Sequence, residues 1–207
     1  MITTTSTHVL IPQRTRKNPF HTPLVTRKNK PHLLMDPTRS KLAAGILNGL
    51  ATYPQPDDTI LYLGASAGYT VSFLAQMHPL IMAVEVSPIM CRDLVLISRE
   101  LGTIAPILAD ARDPLTYAHR VIPAHYLFQD ISQPDQLDIF IRSADTFLRP
   151  DGRAVLTLKT RSISAVDAPA DIFKNVLDAL STKYRVIEHH SLTPYQKDHY
   201  LIAITHK

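Results

Sequence analysis

The sequence predicts an α/β fold: a central, mostly parallel seven-stranded sheet with helices on both faces, preceded by a small N-terminal extension. Two observations carry this. Short continuous apolar runs alternate along the chain with segments whose apolar residues recur at helical spacing. The apolar runs also lack the polar alternation of a sheet with one wet face, so both of their faces have to be covered. A third observation sets the scale: 207 residues, 45% of them hydrophobic and 19% charged, suit one domain with a core that needs no covalent staples.

Taken in order, residues 1–36 show no clean period. His8–Ile11 and His21–Val25 read as short strands and the rest as loop, so this stretch is expected to be a small β-rich appendage or a partly ordered basic arm, with the main domain at 37–207. From Pro37 a helix is expected, because Leu42, Ala43, Ile46, Leu47 and Leu50 fall on one face. Pro54–Asp58 makes a turn. Thr59–Gly64 (TILYLG) reads as a buried strand, Thr70–Met77 as helix and Leu80–Glu85 (LIMAVE) as the next strand. Pro88–Glu100 is a helix with proline in its first turn. Ile104–Ala109 is a third strand, weakened by Pro106, and Ala124–Gln129 a fourth. Asp135–Leu148 is an amphipathic helix, Pro150-Asp151-Gly152 a turn, and Arg153–Leu158 a fifth strand. Ala168–Leu180 is helical, and Arg185–Ser191 with Tyr200–Thr205 form a closing pair of strands.

Charge is unevenly placed. Residues 1–41 carry eight Lys/Arg against one acid, a balance of +7, and the remainder carries −3. A basic arm on a mildly acidic body suggests a polyanionic partner, the alternative being a solvated tail. The single cysteine, Cys91, excludes an internal disulfide and a cysteine metal cluster, so no metal is expected. No apolar run approaches the roughly 20 residues that span a bilayer. His8–Ile11 stops at Pro12, too short for a secretory core, and Pro12, Pro19, Pro23 and Pro31 oppose the amphipathic helix of an organellar transit peptide. The expected location is therefore cytoplasmic, away from membranes.

Parallel sheets bind ligands beyond the carboxyl ends of their strands, so the residues there matter most. The first strand runs into Gly64-Ala65-Ser66-Ala67-Gly68-Tyr69-Thr70, whose glycines allow a tight turn and close approach of a ligand to backbone. This is not the dinucleotide G-x-G-x-x-G, and no P-loop is present. Glu85 ends the second strand, where a carboxylate can accept bonds from a ribose diol; a helix-capping acid would look the same. Asp110-Ala111 follows the third strand and could meet an adenine amine, or simply make a turn. Asp130-Ile131-Ser132-Gln133 follows the fourth, and Lys159 ends the fifth. Together they match a nucleoside cofactor site.

Eight blocks in order, PTRSKLAA (Pro37–Ala44), LYLGASAGYTVS (Leu61–Ser72), AVEVS (Ala83–Ser87), DARDP (Asp110–Pro114), DISQPDQ (Asp130–Gln136), TFLR (Thr146–Arg149), Leu158-Lys159 and LTPYQKDH (Leu192–His199), resemble the fibrillarin family, the methyltransferase of box C/D ribonucleoproteins. The resemblance implies a class I (Rossmann-like) methyltransferase fold, S-adenosylmethionine as donor and 2′-O-methylation of RNA ribose. It implies that Tyr69, Thr70, Glu85, Val86, Asp110, Ala111, Asp130, Ile131, Ser132 and Gln133, beside Gly64, Ala65 and Gly68, hold the cofactor, and that Lys41, Asp130, Lys159 and His199 form the catalytic set. It also implies a guide RNA paired with the target RNA, a Nop-type scaffold protein and a kink-turn-binding ribosomal-type protein as partners. The family usually has a second threonine at Tyr69, an aromatic at Val86, and a fuller N-terminal domain than this chain's.

A ribose 2′-hydroxyl is a poor nucleophile until its proton is removed or polarised. Lys159 is the candidate base, which requires its pKa to fall from about 10.4. Burial and a neighbouring cation such as Lys41 would lower it, whereas Asp130 would raise it and so suits orientation and cofactor contact. His199 is expected to steady Lys41 or the ribose. Two alternatives remain: a class I methyltransferase for a base or small molecule, which has no use for the lysine pair, and a catalytically silent scaffold subunit.

Overall fold

The computed structural model describes residues 2–207. The N-terminal stretch forms β1 (Thr3–Thr4), β2 (Val9–Pro12), β3 (Leu24–Arg27) and β4 (Lys30–Met35), an antiparallel sheet in the order β1-β2-β4-β3. The expected strand at His21–Val25 lies three residues later. The β3–β4 hairpin turns on Lys28 and Asn29, with φ of 48° and 58°, and that turn sets the register Arg27↔Lys30. β4 was not anticipated, because Lys30-Pro31-His32 masks the apolar residues that follow it. The small sheet has no closed core of its own. Val9, Ile11, Leu33 and Met35 pack with Ala43, Phe73 and Met77 of the main body.

The main body runs α1 (Lys41–Leu47), β5 (Thr59–Leu63), α2 (Tyr69–Leu74), β6 (Leu80–Glu85), α3 (Pro88–Leu101), β7 (Ile104–Leu108), β8 (Ala124–Gln129), α4 (Gln136–Phe147), β9 (Leu148–Lys159), α5 (Thr160–Ile163), α6 (Pro169–Lys183), β10 (Tyr184–Ser191) and β11 (His199–His206). The seven strands lie in the order β10-β11-β9-β8-β5-β6-β7, with β5 to β9 parallel and β11 antiparallel to both neighbours. Side chains alternate across the sheet. Leu61 and Leu63 join the cluster with α4 and α6, while Ile60 and Tyr62 join the one with α1, α2 and α3. Both faces are dry, which is why these strands are apolar throughout.

Local chemistry explains where the elements depart from expectation. α1 begins at Lys41 rather than Pro37, because Asp36 Oδ1 accepts from Thr38 N and Oγ1 (2.7 Å each) and Ser40 Oγ caps Ala43 N at 3.3 Å. α2 is shorter than expected and ends in tight turns, with Gln76 N donating to Phe73 O and Met77 N to Leu74 O. Pro106 is accommodated because β7 is an edge strand. Pro150-Asp151-Gly152 does not interrupt the chain between α4 and the fifth strand. Leu148 pairs with Ala124 and Arg153 with Tyr126, so residues 149–152 form a bulge within β9.

Candidate active site

Strand order reverses between β5 and β8, since the chain leaves β5 for β6 and β7 and returns on the other side. That switch point opens a crevice at the strand ends. The two loops beside it touch: Asp130 N donates to Leu63 O at 2.8 Å, and Gly64 (φ +80°) packs so closely that an added Cβ would lie 2.5 Å from Asp130 O. Gly64 is thus required twice, for its backbone conformation and for the contact. Ser66 (φ 50°) and Gly68 (φ 89°) carry the loop into α2.

Glu85 is 8% exposed and organises this loop. Its Oε2 accepts from Ser66 N at 2.7 Å and its Oε1 from Ser87 N at 2.8 Å. Each oxygen keeps a lone pair for a further donor. Gly64, Glu85, Val86, Asp110, Ile131 and Gln133 line one cleft, together with the nearly buried Ala111. Val86 is 56% exposed there, an apolar wall without an aromatic ring. Asp110 is a turn former as well as a cleft residue: Oδ1 accepts from Arg112 N at 2.9 Å and Oδ2 pairs with Arg112 Nε at 3.3 Å.

A second cleft shares Gly64 and contains Ala65, Thr70, Lys41 and Asp130. Asp130 stands between two lysines, with Lys159 Nζ 2.9 Å from Oδ1 and Lys41 Nζ 3.3 Å from Oδ2. Oδ1 is buried, and although it is close to the Lys159 ammonium no donor is aligned with it for a hydrogen bond. Lys159 Nζ also donates to Ser132 Oγ. Burial holds the Lys159 pKa below the ordinary 10.5; Asp130 works against this and Lys41 with it. His199 lies directly across the β9–β11 ladder from Lys159. Its Nδ1 lies 2.6 Å from Lys197 O, so Nδ1 carries the proton and Nε2 is left as an acceptor. Burial, reinforced by Lys41 and Lys159, lowers its pKa from 6.5. The bond to Lys197 holds the ring by Nδ1 and leaves Nε2 for the site.

The structure therefore gathers Lys41, Asp130, Lys159 and His199 from four elements or their adjoining loops. Thr70 is buried and its Oγ1 donates to Ser40 Oγ at 3.0 Å, so it ties the loop to the start of α1. Tyr69 lines the second cleft from the start of α2. Its hydroxyl accepts from Asp36 N at 3.2 Å and its ring packs against Phe73 and Phe20. Sequence reasoning missed Gln136, which is fully buried. Its side chain accepts from Lys159 N at 2.8 Å and donates to Lys159 O at 3.1 Å, clamping the backbone of the candidate base. A glutamine at a helix start three residues after Gln133 carries no signal of such a bond. Phe20 and Arg39 at the mouth of the second cleft were missed as well.

These features fit a nucleoside bearing an amino-acid tail. Glu85 offers acceptors to a diol in the first cleft, Asp130 offers a carboxylate to an ammonium in the second, and Gly64 lines both.

The family model described as Fibrillarin matches residues 14–207. The fibrillarin-like rRNA/tRNA 2′-O-methyltransferase of Thermococcus sibiricus is 38% identical over 185 residues, which cover 87% of this chain and 82% of that protein. Among solved structures, one of a fibrillarin/Nop5p complex superposes with a TM-score of 0.89 at 32% identity, covering 100% of this chain and 97% of its counterpart. Aeropyrum pernix fibrillarin, solved with natively bound S-adenosyl-L-methionine, superposes with a TM-score of 0.85 at 30% identity, covering 96% of this chain and 89% of that one.

Proposed function

The chain belongs to the fibrillarin family, and from that premise we propose that it transfers a methyl group from S-adenosylmethionine to the 2′-hydroxyl of an RNA ribose. The observation that carries this reading is the Lys41–Asp130–Lys159 cluster beside the cleft lined by Gly64, Glu85, Val86 and Asp110. When bound, S-adenosylmethionine supplies an electrophilic methyl on a sulfonium. The protein's own part is position and proton transfer. Glu85 would take the ribose diol of the cofactor, the Asp110-Ala111 loop and Val86 would flank its base, and Asp130 with the Ile131–Gln133 segment would hold its amino-acid end. Lys159, lowered in pKa by burial, takes the proton of the target hydroxyl. Gln136 and Ser132 orient the lysine, Lys41 keeps a second cation close by, and His199 faces the ribose with an unprotonated Nε2.

The partners follow from the same reading. The fibrillarin of the complex named above is bound to Nop5p, and a Nop-type scaffold is the partner proposed here. Guide RNA, target RNA and a kink-turn-binding protein complete a box C/D particle. The division at residue 36 into an appendage and a methyltransferase domain belongs to the proposal too. A role for the appendage in holding RNA is supported by Arg14, Arg27, Lys28 and Lys30. They line one groove, and none of them forms an ion pair among the described residues. No described helix is long and apolar enough to cross a membrane.

The test is methyl transfer from tritiated cofactor to RNA, with and without a reconstituted guide particle, followed by mapping of the labelled atom. Label at one guide-selected 2′-oxygen supports the proposal. Label on a base, or on a small molecule instead of RNA, refutes it.

A further inference from the structure

Arg39 stands at the mouth of the cleft that contains Lys41 and Asp130. It is exposed, and it forms no ion pair among the described residues. The nearest acid in sequence, Asp36, is engaged with Thr38 through Oδ1. Yet Arg39 is not a loose surface side chain. Its guanidinium carbon lies 3.9 Å from the centroid of the Tyr69 ring and 5.9 Å from that of Phe20. The Tyr69 ring is itself fixed. Its hydroxyl accepts from Asp36 N at 3.2 Å, Phe20 meets it edge-on at 5.2 Å and Phe73 at 5.1 Å. A guanidinium stacked by one face on an aromatic ring keeps its N–H fork in the plane, free to bind two oxygens of an oxyanion. The stack also limits the side-chain freedom that would be lost on binding.

We infer that Arg39, held on the Tyr69 ring and flanked by Phe20, is a binding residue for a backbone phosphate of the RNA strand that carries the target ribose. The inference rests on the activity proposed above. Two sources could supply an oxyanion here, the RNA backbone and the carboxylate of the cofactor's tail. Exposure favours the RNA. Arg39 lies at the surface, while Lys41 and Asp130 are 18% and 15% exposed in the same cleft. Arg39 and Lys41 are two positions apart, at most about 7 Å between their Cα atoms, and both line the cleft that holds Asp130, which keeps the fork within roughly a nucleotide of the catalytic cluster. Tyr69 then has a positioning role that a smaller hydroxyl residue could not fill, and the N-terminal sheet's neighbour Phe20 becomes part of the substrate mouth.

The experiment compares wild-type, Arg39→Ala, Arg39→Lys, Tyr69→Phe and Tyr69→Thr proteins in a reconstituted guide particle. It measures the Kd of a fluorescent target oligonucleotide by anisotropy across a salt series, KM and kcat for methylation, and the S-adenosylmethionine Kd by calorimetry. Arg39→Ala should weaken RNA binding at least about tenfold and make the log Kd against log salt slope shallower by about 0.7, one phosphate contact on a single strand. Its cofactor Kd should stay within about twofold. Arg39→Lys should recover part of the affinity, Tyr69→Phe nearly all of it, and Tyr69→Thr should fall between Arg39→Ala and wild type. An unchanged RNA Kd and salt slope for Arg39→Ala overturns the inference. So does a cofactor Kd that rises about tenfold while RNA binding is intact, which would assign the fork to the cofactor's carboxylate. Anisotropy does not depend on turnover. A wild-type particle that binds RNA through Arg39 but leaves the 2′-oxygen unmethylated would therefore count against the proposed activity alone.

Discussion

At the scale of single residues the decisive feature is a lysine whose environment works against its charge. Replacing Lys159 by alanine should lower the methylation rate by at least about 100-fold, while calorimetry still shows cofactor binding; near wild-type turnover would remove its role as base. The sign of the pH dependence is fixed by that role. A base acts when neutral, so the rate should rise with pH and level off above the depressed pKa of Lys159, below the ordinary 10.5. Lys41 lowers that pKa and Asp130 raises it. Removing Lys41 as Lys41→Met should therefore move the rising limb to higher pH, and Asp130→Asn should move it to lower pH. Limbs that shift together, or not at all, would show that another group titrates. At this scale the sequence was legible where a charged residue ends an apolar strand, as with Glu85, Asp130 and Lys159. It was not legible for Gln136 or Arg39, whose roles arise from contacts with Lys159 and Tyr69 that lie 23 and 30 positions away.

At the scale of elements, the loop after β5 and the connection after α1 are both held by a few specific bonds. Gly64→Ala would impose a positive φ on a residue with a side chain and push its Cβ to 2.5 Å from the Asp130 carbonyl. A loss of stability of at least about 1 kcal/mol is expected in thermal melts, with weaker cofactor binding by calorimetry. Elsewhere, Glu188 on β10 clamps the loop after α1. Its carboxylate accepts from Ala51 N at 3.1 Å, Thr52 N at 2.6 Å and pairs with His190 Nε2 at 2.7 Å. Burial would raise the pKa of Glu188, but the bonds from Thr52, His190 and Ala51 outweigh it and the net shift is downward from 4.5. A depressed carboxylate stabilises the fold above its unfolded pKa and loses that contribution as pH falls through the folded value. Glu188→Gln should thus melt below wild type by about 1–3 kcal/mol in equivalent stability at neutral pH, and the gap should close as the pH drops below about 4.5. The element types and order were readable from periodicity and proline placement. Their ends were not, because Asp36, Ser40 and the 149–152 bulge act through local hydrogen bonds and register that periodicity does not encode.

At the scale of the whole molecule, two clefts joined at Gly64 make cofactor binding and folding one equilibrium. With S-adenosylmethionine at about 100 times its Kd the native state should gain roughly 2.7 kcal/mol, a rise in Tm of about 5–10 °C for a chain of this size. No shift would mean that the crevice does not take that cofactor. The sequence by itself determined the layers: uninterrupted apolar strands cannot face water, so their pattern already required helices on both sides of a parallel sheet. It also determined the chemistry waiting at the strand ends, because a glycine loop and acids recur where each apolar run stops. Only the tertiary structure decided which of those ends meet. The reversal of strand order brings β5 and β8 side by side, so Asp130 lies against Gly64 although 66 positions separate them. Only the tertiary structure, too, turned the N-terminal stretch into a sheet leaning on α1 and α2, and the loop beside it into a wall of the cleft through Phe20. The physical reason is the same in both cases. Apolar periodicity records what a segment must hide from water, whereas its neighbours are chosen by topology and packing, which no local pattern contains.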